Sequence, residues 1–350
     1  MQGKRSAKPA RLGTLLCLFG AVSTTSASQI SAQQDREAKS SDAAFRVLDE
    51  AGGLKASGAF PFDYQHLAFQ SPGSDSIQVW AAASVHAGRV RGVFDGGWRY
   101  SLGLRFDVFQ SDSLIASEQR RFEHVLNREV PHETADGFPL QVAVRVPPGD
   151  YTYRIEVVDY NWSEGRSTNR KTGDLTVPEF DDTRPLVSSI AIAADSGGAW
   201  NPAPGVALKL NAARIVRKRS RPYVYFEVYG LTPGGEYRGE VKLRSTWVSR
   251  GKGERFAGAY QPFQMQYRGT APADPDTPVR TTLRLDMDRT EPGPFEITVR
   301  IVDLSTGLAS SVRHARLRVQ EIDRSRPVTT ITEVAVPARP ENAANAEETP

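Results

Sequence analysis

The sequence predicts an all-β chain: two tandem antiparallel β-sandwich domains, with a short N-terminal helix and a disordered C-terminal tail. Three observations predict it. From about Ala59 the apolar residues recur with period two, the spacing of strands with one wet face. Turn-forming pieces such as Ser71-Pro72-Gly73-Ser74-Asp75, Asp95-Gly96-Gly97 and Pro147-Pro148-Gly149 cut that alternation into short runs. One run occurs twice, as Pro148-Gly149-Asp150-Tyr151 through Val158-Asp159 and as Pro292-Gly293-Pro294-Phe295 through Val302-Asp303, at a constant offset (148 to 292, 159 to 303).

The chain opens on a signal-peptide pattern. Lys4, Arg5, Lys8 and Arg11 precede an apolar run from Leu12 to Val22, and small residues follow, with cleavage expected between Ala27 and Ala32. The run is too short to span a bilayer, and no later stretch approaches ~20 apolar residues. Cys17 lies inside the run rather than at its end, so no lipid anchor is expected. The expected product is exported through a signal peptide, periplasmic or secreted, without a transmembrane segment. Removing residues 1–32 takes four basic residues with it and leaves 40 Lys+Arg against 41 Asp+Glu. The formal charge of +3 therefore implies no nucleic-acid partner. The sole cysteine also leaves, so packed cores rather than a disulfide must hold the fold.

Residues 33–56 read as a polar segment with a short helix, capped at Ser41-Asp42, carrying Phe45 and Leu48 on one face and stopped by Gly52-Gly53. The first sandwich occupies residues 57–178. Its strands are expected at 64–69, 77–85, 89–94, 100–109, 114–122, 140–146, 151–159 and 171–177. Residues 179–185, ending in Arg184-Pro185, form the linker. The second sandwich, 186–322, has expected strands at 187–193, 206–211, 223–231, 236–246, 259–267, 281–287, 295–303 and 311–319. Residues 323–350 are Pro/Ala/Glu-rich and read as disordered.

The repeated strand has its own logic. Pro followed by Gly suits a type II turn, whose second central position takes positive φ. Tyr151, Tyr153, Ile155 and Val157 share one face, as do Phe295, Ile297, Val299 and Ile301. A second match, Phe106-Asp107-Val108-Phe109 with Phe226-Glu227-Val228-Tyr229, has a shorter offset. It implies an insertion of about 24 residues within 232–280 of the second domain. The Pro-Gly-x-aromatic entry resembles the corner before the sixth strand of immunoglobulin-like and fibronectin-like sandwiches, and that resemblance implies two tandem Ig-like/fibronectin-like domains. Tyr223 to Leu231, followed by the Pro-Gly strand and its terminal aspartate, resembles the β-sandwich region of exported bacterial proteins named for a GWxTD motif. The name-giving motif is absent, and the nearest string is Gly97-Trp98-Arg99-Tyr100-Ser101. What the resemblance implies is architecture and export, with no activity to carry over.

Four groups are candidates for chemistry. His124, Glu129, His132 and Glu133 are the densest set of metal-ligating types, but their spacing matches no known site, so a solvated loop is preferred and no metal is expected. Asp159-Tyr160-Asn161-Trp162-Ser163-Glu164 places oxygens as a calcium loop would, yet Glu164 stands where an EF-hand needs glycine, so a hairpin is preferred. Arg217-Lys218-Arg219-Ser220-Arg221 suits phosphate or simply a solvated turn. Trp247, Arg250, Lys252, Arg255, Phe256 and Tyr260, with Phe263 and Tyr267 after them, combine aromatics and bases as interface hot spots do, and are the favoured recognition surface. No catalytic motif and no cofactor is expected. The reading is a non-catalytic envelope module that binds or scaffolds another envelope protein. A carbohydrate or cell-wall-binding module and a hydrolase with a dispersed site are its alternatives.

Overall fold

The computed structural model describes residues 60–71, 76–132, 137–162, 167–180, 184–246, 261–288 and 290–321. The predicted signal peptide, N-terminal helix and tail lie outside them. Eight strands build the first sandwich: β1 (Phe62–Gln70), β2 (Ile77–His86), β3 (Val93–Phe94), β4 (Trp98–Gln110), β5 (Ser113–Leu126), β6 (Gly137–Val146), β7 (Gly149–Asp159) and β8 (Ser167–Val177). One sheet runs β1-β2-β6. In the other, β4 has β5 along one edge and both β3 and β7 along the opposite edge, with β8 beyond β7. A three-stranded sheet faces a sheet of four long strands to which the two-residue β3 is appended, the fibronectin type III arrangement, and the core lies between the two sheets.

The second sandwich repeats that plan. Its strands are β9 (Leu186–Val187), β10 (Ala191–Ala203), β11 (Val206–Leu210), β12 (Ile215–Arg217), β13 (Tyr223–Tyr229), β14 (Glu236–Ser245), β15 (Phe263–Thr270), β16 (Val279–Arg284), β17 (Gly293–Asp303) and β18 (Arg313–Gln320). One sheet runs β11-β10-β13-β16 with β9 also on β13, and the other runs β12-β18-β17-β14-β15. β12 joins β18 in parallel.

The repeated run forms β7 and β17, each paired between the strand three before it and the strand after it. Tyr151, Tyr153, Ile155, Val157, Phe295, Ile297, Val299 and Ile301 are all buried. Gly149 and Gly293 take positive φ, but at 152° and 150°. That is far from the roughly +80° of a type II turn. Both glycines are already in their strands, so the turn assignment is corrected. The corner itself is present in the first sandwich, where Tyr151 Oη donates to the Pro147 carbonyl at 2.9 Å. Phe295 cannot make that bond.

The second sequence match does not survive. Phe106 lies on β4 and Phe226 on β13, strands with different places in their sheets. By register, Ile155 pairs Phe106 while its repeat, Val299, pairs Val241. β14 and β15 therefore correspond to β4 and β5 and are not an insertion. Added material in the second domain lies before β13, as the tail of β10 with β11 and β12, and also in the connection between β14 and β15, which is longer than the one between β4 and β5. The predicted strand at 89–94 is also shortened. Gly88 packs against the His132 carbonyl, where a Cβ would lie 2.4 Å from the oxygen, and Ala87–Arg89 turn as a 3-10 helix.

The two sandwiches share a third apolar cluster. Leu67, Phe69 and Ala82 on β1 and β2 pack against Ala191, Ala193, Trp200, Leu208 and Tyr225. These residues lie on strand faces turned away from each domain's own core. The Trp200 ring contacts Phe69, Trp80 and Tyr225 at centroid distances of 5.7, 6.2 and 5.4 Å. Ala68 N–H donates to Ser189 Oγ, and Ser189 N–H donates to the Ala68 carbonyl, at 2.9 and 3.2 Å. That closes the outer edge of β1.

Candidate functional site

The favoured recognition residues, Trp247, Arg250, Lys252, Arg255, Phe256 and Tyr260, lie outside the described residues. Their anchors are described: Ser245 at the end of β14 pairs Phe295, and Phe263 at the start of β15 pairs Leu243. Residues 246–262 connect these strands. The equivalent connection in the first sandwich is a tight turn at Ser111 and Asp112, both with positive φ. Phe263 and Tyr267 pack against the second core, so these two belong to the fold. Tyr267 covers Gly239 and Tyr237 covers Gly269. A Cβ added at Gly239 would lie 2.3 Å from the Tyr267 ring, and one at Gly269 would lie 2.5 Å from the Tyr237 hydroxyl. Glycines facing tyrosines let β14 and β15 stay in register.

The terminal aspartate of the repeated strand has a definite role. Asp159 is 1% exposed, and its carboxylate accepts the N–H groups of Arg91 and Asn161 at 3.0 and 2.9 Å. The Asn161 side-chain amide then donates to the carbonyls of Arg91 and Arg99. Asp303 is 2% exposed and accepts from Thr232 N–H, Thr232 hydroxyl, Ser305 N–H and Thr306 N–H at 2.8, 2.7, 2.8 and 3.3 Å. Each carboxylate latches the loop that leads into β4 or β14 to the turn after its own strand. The preferred hairpin reading of Asp159 thus acquires a reason. The two latches differ electrostatically. Burial raises the Asp159 pKa, with the Arg91 and Asn161 bonds opposing it. Burial also pushes Asp303 up, but bonds from Thr232, Ser305 and Thr306 outweigh it and the net shift is downward.

Beside Asp303 lies a cleft of about 300 Å³ lined by Arg184, Pro185, Leu231, Pro275 and Leu308 among others. Its one carboxylate already accepts four bonds, so it is not poised as an acid or base.

The metal candidates are not brought together. Among the described residues no three His, Cys, Asp or Glu side chains converge as metal ligands. Glu133 lies outside the described residues, and His132 is hydrogen-bonded to Arg89 at 3.0 Å. His124 is not on a solvated loop, which corrects that reading. It sits on β5, fully buried and stacked on Phe138 at 4.6 Å. Neither ring nitrogen has a hydrogen-bond partner among the described residues. Burial, with Lys209 adding repulsion, lowers its pKa to about 4. The Arg217–Arg221 run is a turn closed by Ser220 N–H on the Arg217 carbonyl, with Lys218 paired to Glu291 at 3.6 Å.

Sequence reasoning missed two buried carboxylates. Asp107 is fully buried on the outer face of β4, accepting from Ser117 at 2.6 Å, Arg105 at 2.9 Å and Arg154 at 2.6 and 2.9 Å. Burial pushes its pKa up and these partners pull it down further, for a net lowering. Glu227 accepts the hydroxyls of Tyr225 and Tyr229 and lies 3.6 Å from Arg280. Tyr229 Oη in turn accepts the Gln70 N–H at 3.1 Å, so Glu227 anchors the domain contact. The signal available was an acid between large apolar residues on the outward face of a central strand, which alternation alone reads as a wet face.

No family model and no curated protein matches the chain. Among solved structures it is similar to the native conformation of E. coli alpha-2-macroglobulin, at 13% identity over 76% of this chain and 15% of that chain, with a TM-score of 0.22. It is similar to a putative membrane anchored protein from Corynebacterium diphtheriae, at 11% identity over 78% of this chain and 62% of that chain, with a TM-score of 0.22. It is also similar to the C-terminal domain of the Streptococcus pyogenes antigen I/II-family protein AspA, at 8% identity over 72% and 98%, with a TM-score of 0.21. The chain thus spans less than two thirds of the first two. The sandwich assignment rests on strand order, not on these likenesses.

Proposed function

We propose that the chain is an exported, non-catalytic module of the cell envelope that binds or scaffolds another envelope protein. One observation carries this reading. The buried carboxylates Asp107, Asp159, Glu227 and Asp303 all accept hydrogen bonds from the fold itself. Groups so occupied act as fasteners rather than as reagents. The two domains are fastened face to face through Trp200, which suits a rigid spacer. Export is supported by the N-terminal charge and apolar pattern, and among the described residues no helix is long and apolar enough to cross a membrane. The recognition surface in this reading is the connection between β14 and β15.

The test is affinity capture from an envelope extract, with the natural protein and with residues 247–260 replaced by a Gly/Ser linker. Capture of one protein, lost in the replacement, is expected. Equal capture by both forms places recognition elsewhere, and no specific capture by either refutes the reading.

A second reading, carbohydrate or cell-wall binding, is favoured by exposed aromatics at the loop end of the first sandwich. Phe94 is 66% exposed and packs edge-on against Trp98, and Trp162 is 44% exposed. Asn161 ties the loop that carries Trp162 to this hairpin. Co-sedimentation with cell-wall sacculi, abolished by the double substitution Phe94→Ala and Trp162→Ala, is the outcome this reading requires.

A further inference from the structure

We propose that β5 is a self-association edge, to which a second copy of this chain adds its own β5 in antiparallel register. This inference stands apart from the proposed function. β5 is the outermost strand of its sheet and pairs only with β4 among the described residues. From Ser113 to Arg121 every residue is exposed except the half-buried Ala116, which packs against the first core, while Phe122, His124 and Leu126 are the buried residues of the strand. Its outer N–H and C=O groups are therefore a template for another strand.

Two other edge strands of the first sandwich, β1 and β8, have contacts alongside them. β1 is bonded to Ser189 of the second domain. Beside β8, Asn169 donates to the Phe60 carbonyl, and Lys171 lies over the rings of Phe62 and Tyr64. Among the described residues no second strand or backbone bond covers the outer edge of β5, although Gln119 Nε2 donates to Tyr160 Oη at 3.5 Å and Arg121 lies over the Tyr160 ring at 4.8 Å. On its outer face β5 is held flat instead, by Ser117 on Asp107 and by Arg121 on Ser101 and Glu123.

Charge identifies the occupant. A twofold axis at Gln119 sets Glu118 of each copy directly opposite Arg120 of the other, and Ser117 opposite Arg121. Both sides of the contact are then the same patch, as a closed dimer requires. Neither Glu118 nor Arg120 forms an ion pair with a described residue of its own chain, and Arg120 lies over the Phe122 ring at 5.4 Å. Charges that only repel a neighbouring edge need no alternation of sign. Opposite charges placed symmetrically about one residue are what antiparallel self-pairing needs. The bulge at Ile115, beyond Ala116, marks where the pairing would end.

The test is sedimentation velocity over a concentration series on the natural protein, Glu118→Arg, Arg120→Glu and the double swap, with far-ultraviolet circular dichroism on each. The natural protein is expected to dimerise. Each single reversal should raise the dimer Kd roughly tenfold, since two attractive cross-strand pairs become two repulsive ones. The double swap restores both pairs and should return the Kd to within about twofold of the natural value. A natural protein that stays monomeric, or a dimer indifferent to the single reversals or not restored by the swap, overturns the proposal.

Discussion

His124 makes the most exacting test of the packing described above. The ring is fully buried against Phe138 and both nitrogens lack partners among the described residues. A neutral imidazole so placed leaves a donor and an acceptor unsatisfied, each costing about 1–3 kcal/mol. Its pKa falls from 6.5 to about 4, first through burial and then through Lys209. The unfolded chain therefore binds the proton more readily than the folded one between these values. Stability rises with pH across that window and is lost as pH falls through it. A shift of this size corresponds to roughly 3 kcal/mol between neutral pH and pH 4. His124→Phe keeps a ring on Phe138 and removes both the unsatisfied atoms and the titration. The variant should be at least as stable as the natural protein at pH 7, and the gap should widen by about 3 kcal/mol as pH is lowered to 4. Urea denaturation followed by tryptophan fluorescence, at several pH values, measures this difference directly. Other carboxylates titrate in both proteins and cancel in the comparison. A gap that stays constant with pH would refute the buried, neutral state assigned to His124.

The remaining expectations concern the fasteners. Trp200→Ala should cost about 3–5 kcal/mol and divide a single unfolding transition into two. Trp200→Phe should cost much less, because the indole N–H has no partner to lose among the described residues, and calorimetry separates these outcomes. Asp303→Ala should cost roughly 2–4 kcal/mol by leaving the donors of Thr232, Ser305 and Thr306 unpaired. The natural Asp303 contribution is present above the ordinary carboxylate range and lost as pH falls through its depressed pKa. Asp159, whose pKa is raised, has the opposite sign, so acid melting curves of Asp303→Asn and Asp159→Asn should diverge in opposite directions from the natural protein. Tyr151→Phe should cost about 0.5–1.5 kcal/mol by deleting the bond to Pro147, and denaturant midpoints will show it. Gly239→Ala should be strongly destabilising by the same measurement, because its Cβ would fall 2.3 Å from the Tyr267 ring.

Much of this fold is legible residue by residue. The alternation of β7 and β17 places the same four apolar positions inward in each copy, and the constant offset between them marks a true structural repeat. The match of Phe106-Asp107-Val108-Phe109 to Phe226-Glu227-Val228-Tyr229 misleads for a physical reason. Both segments meet the same demand, an acid flanked by large apolar residues on a central strand, but they meet it in different strands. In β4 the acid is neutralised by Arg105 and Arg154. In β13 it is held by two tyrosines and faces Arg280. Similar local chemistry therefore produced similar strings without equivalence. Register, which depends on partners far away in sequence, distinguishes them.

The contact between the domains was illegible because it uses the faces that alternation marks as wet. Leu67, Phe69 and Trp80 alternate with residues of the first core, and each reads alone as an ordinary exposed apolar side chain. They become informative only with Ala81-Ala82-Ala83 beside them, since small residues let a second sheet approach. A strand apolar on both faces is a strand buried on both faces. β1 and β2 meet that description, and what they needed was a second sheet. Tyr225, Trp200 and Leu208 of the other sandwich supply it. The same argument runs in reverse for β5. Its residues from Ser113 to Arg121 are polar or exposed on both faces, so no second sheet among the described residues covers them, and the opposed charges about Gln119 remain to be matched by another copy.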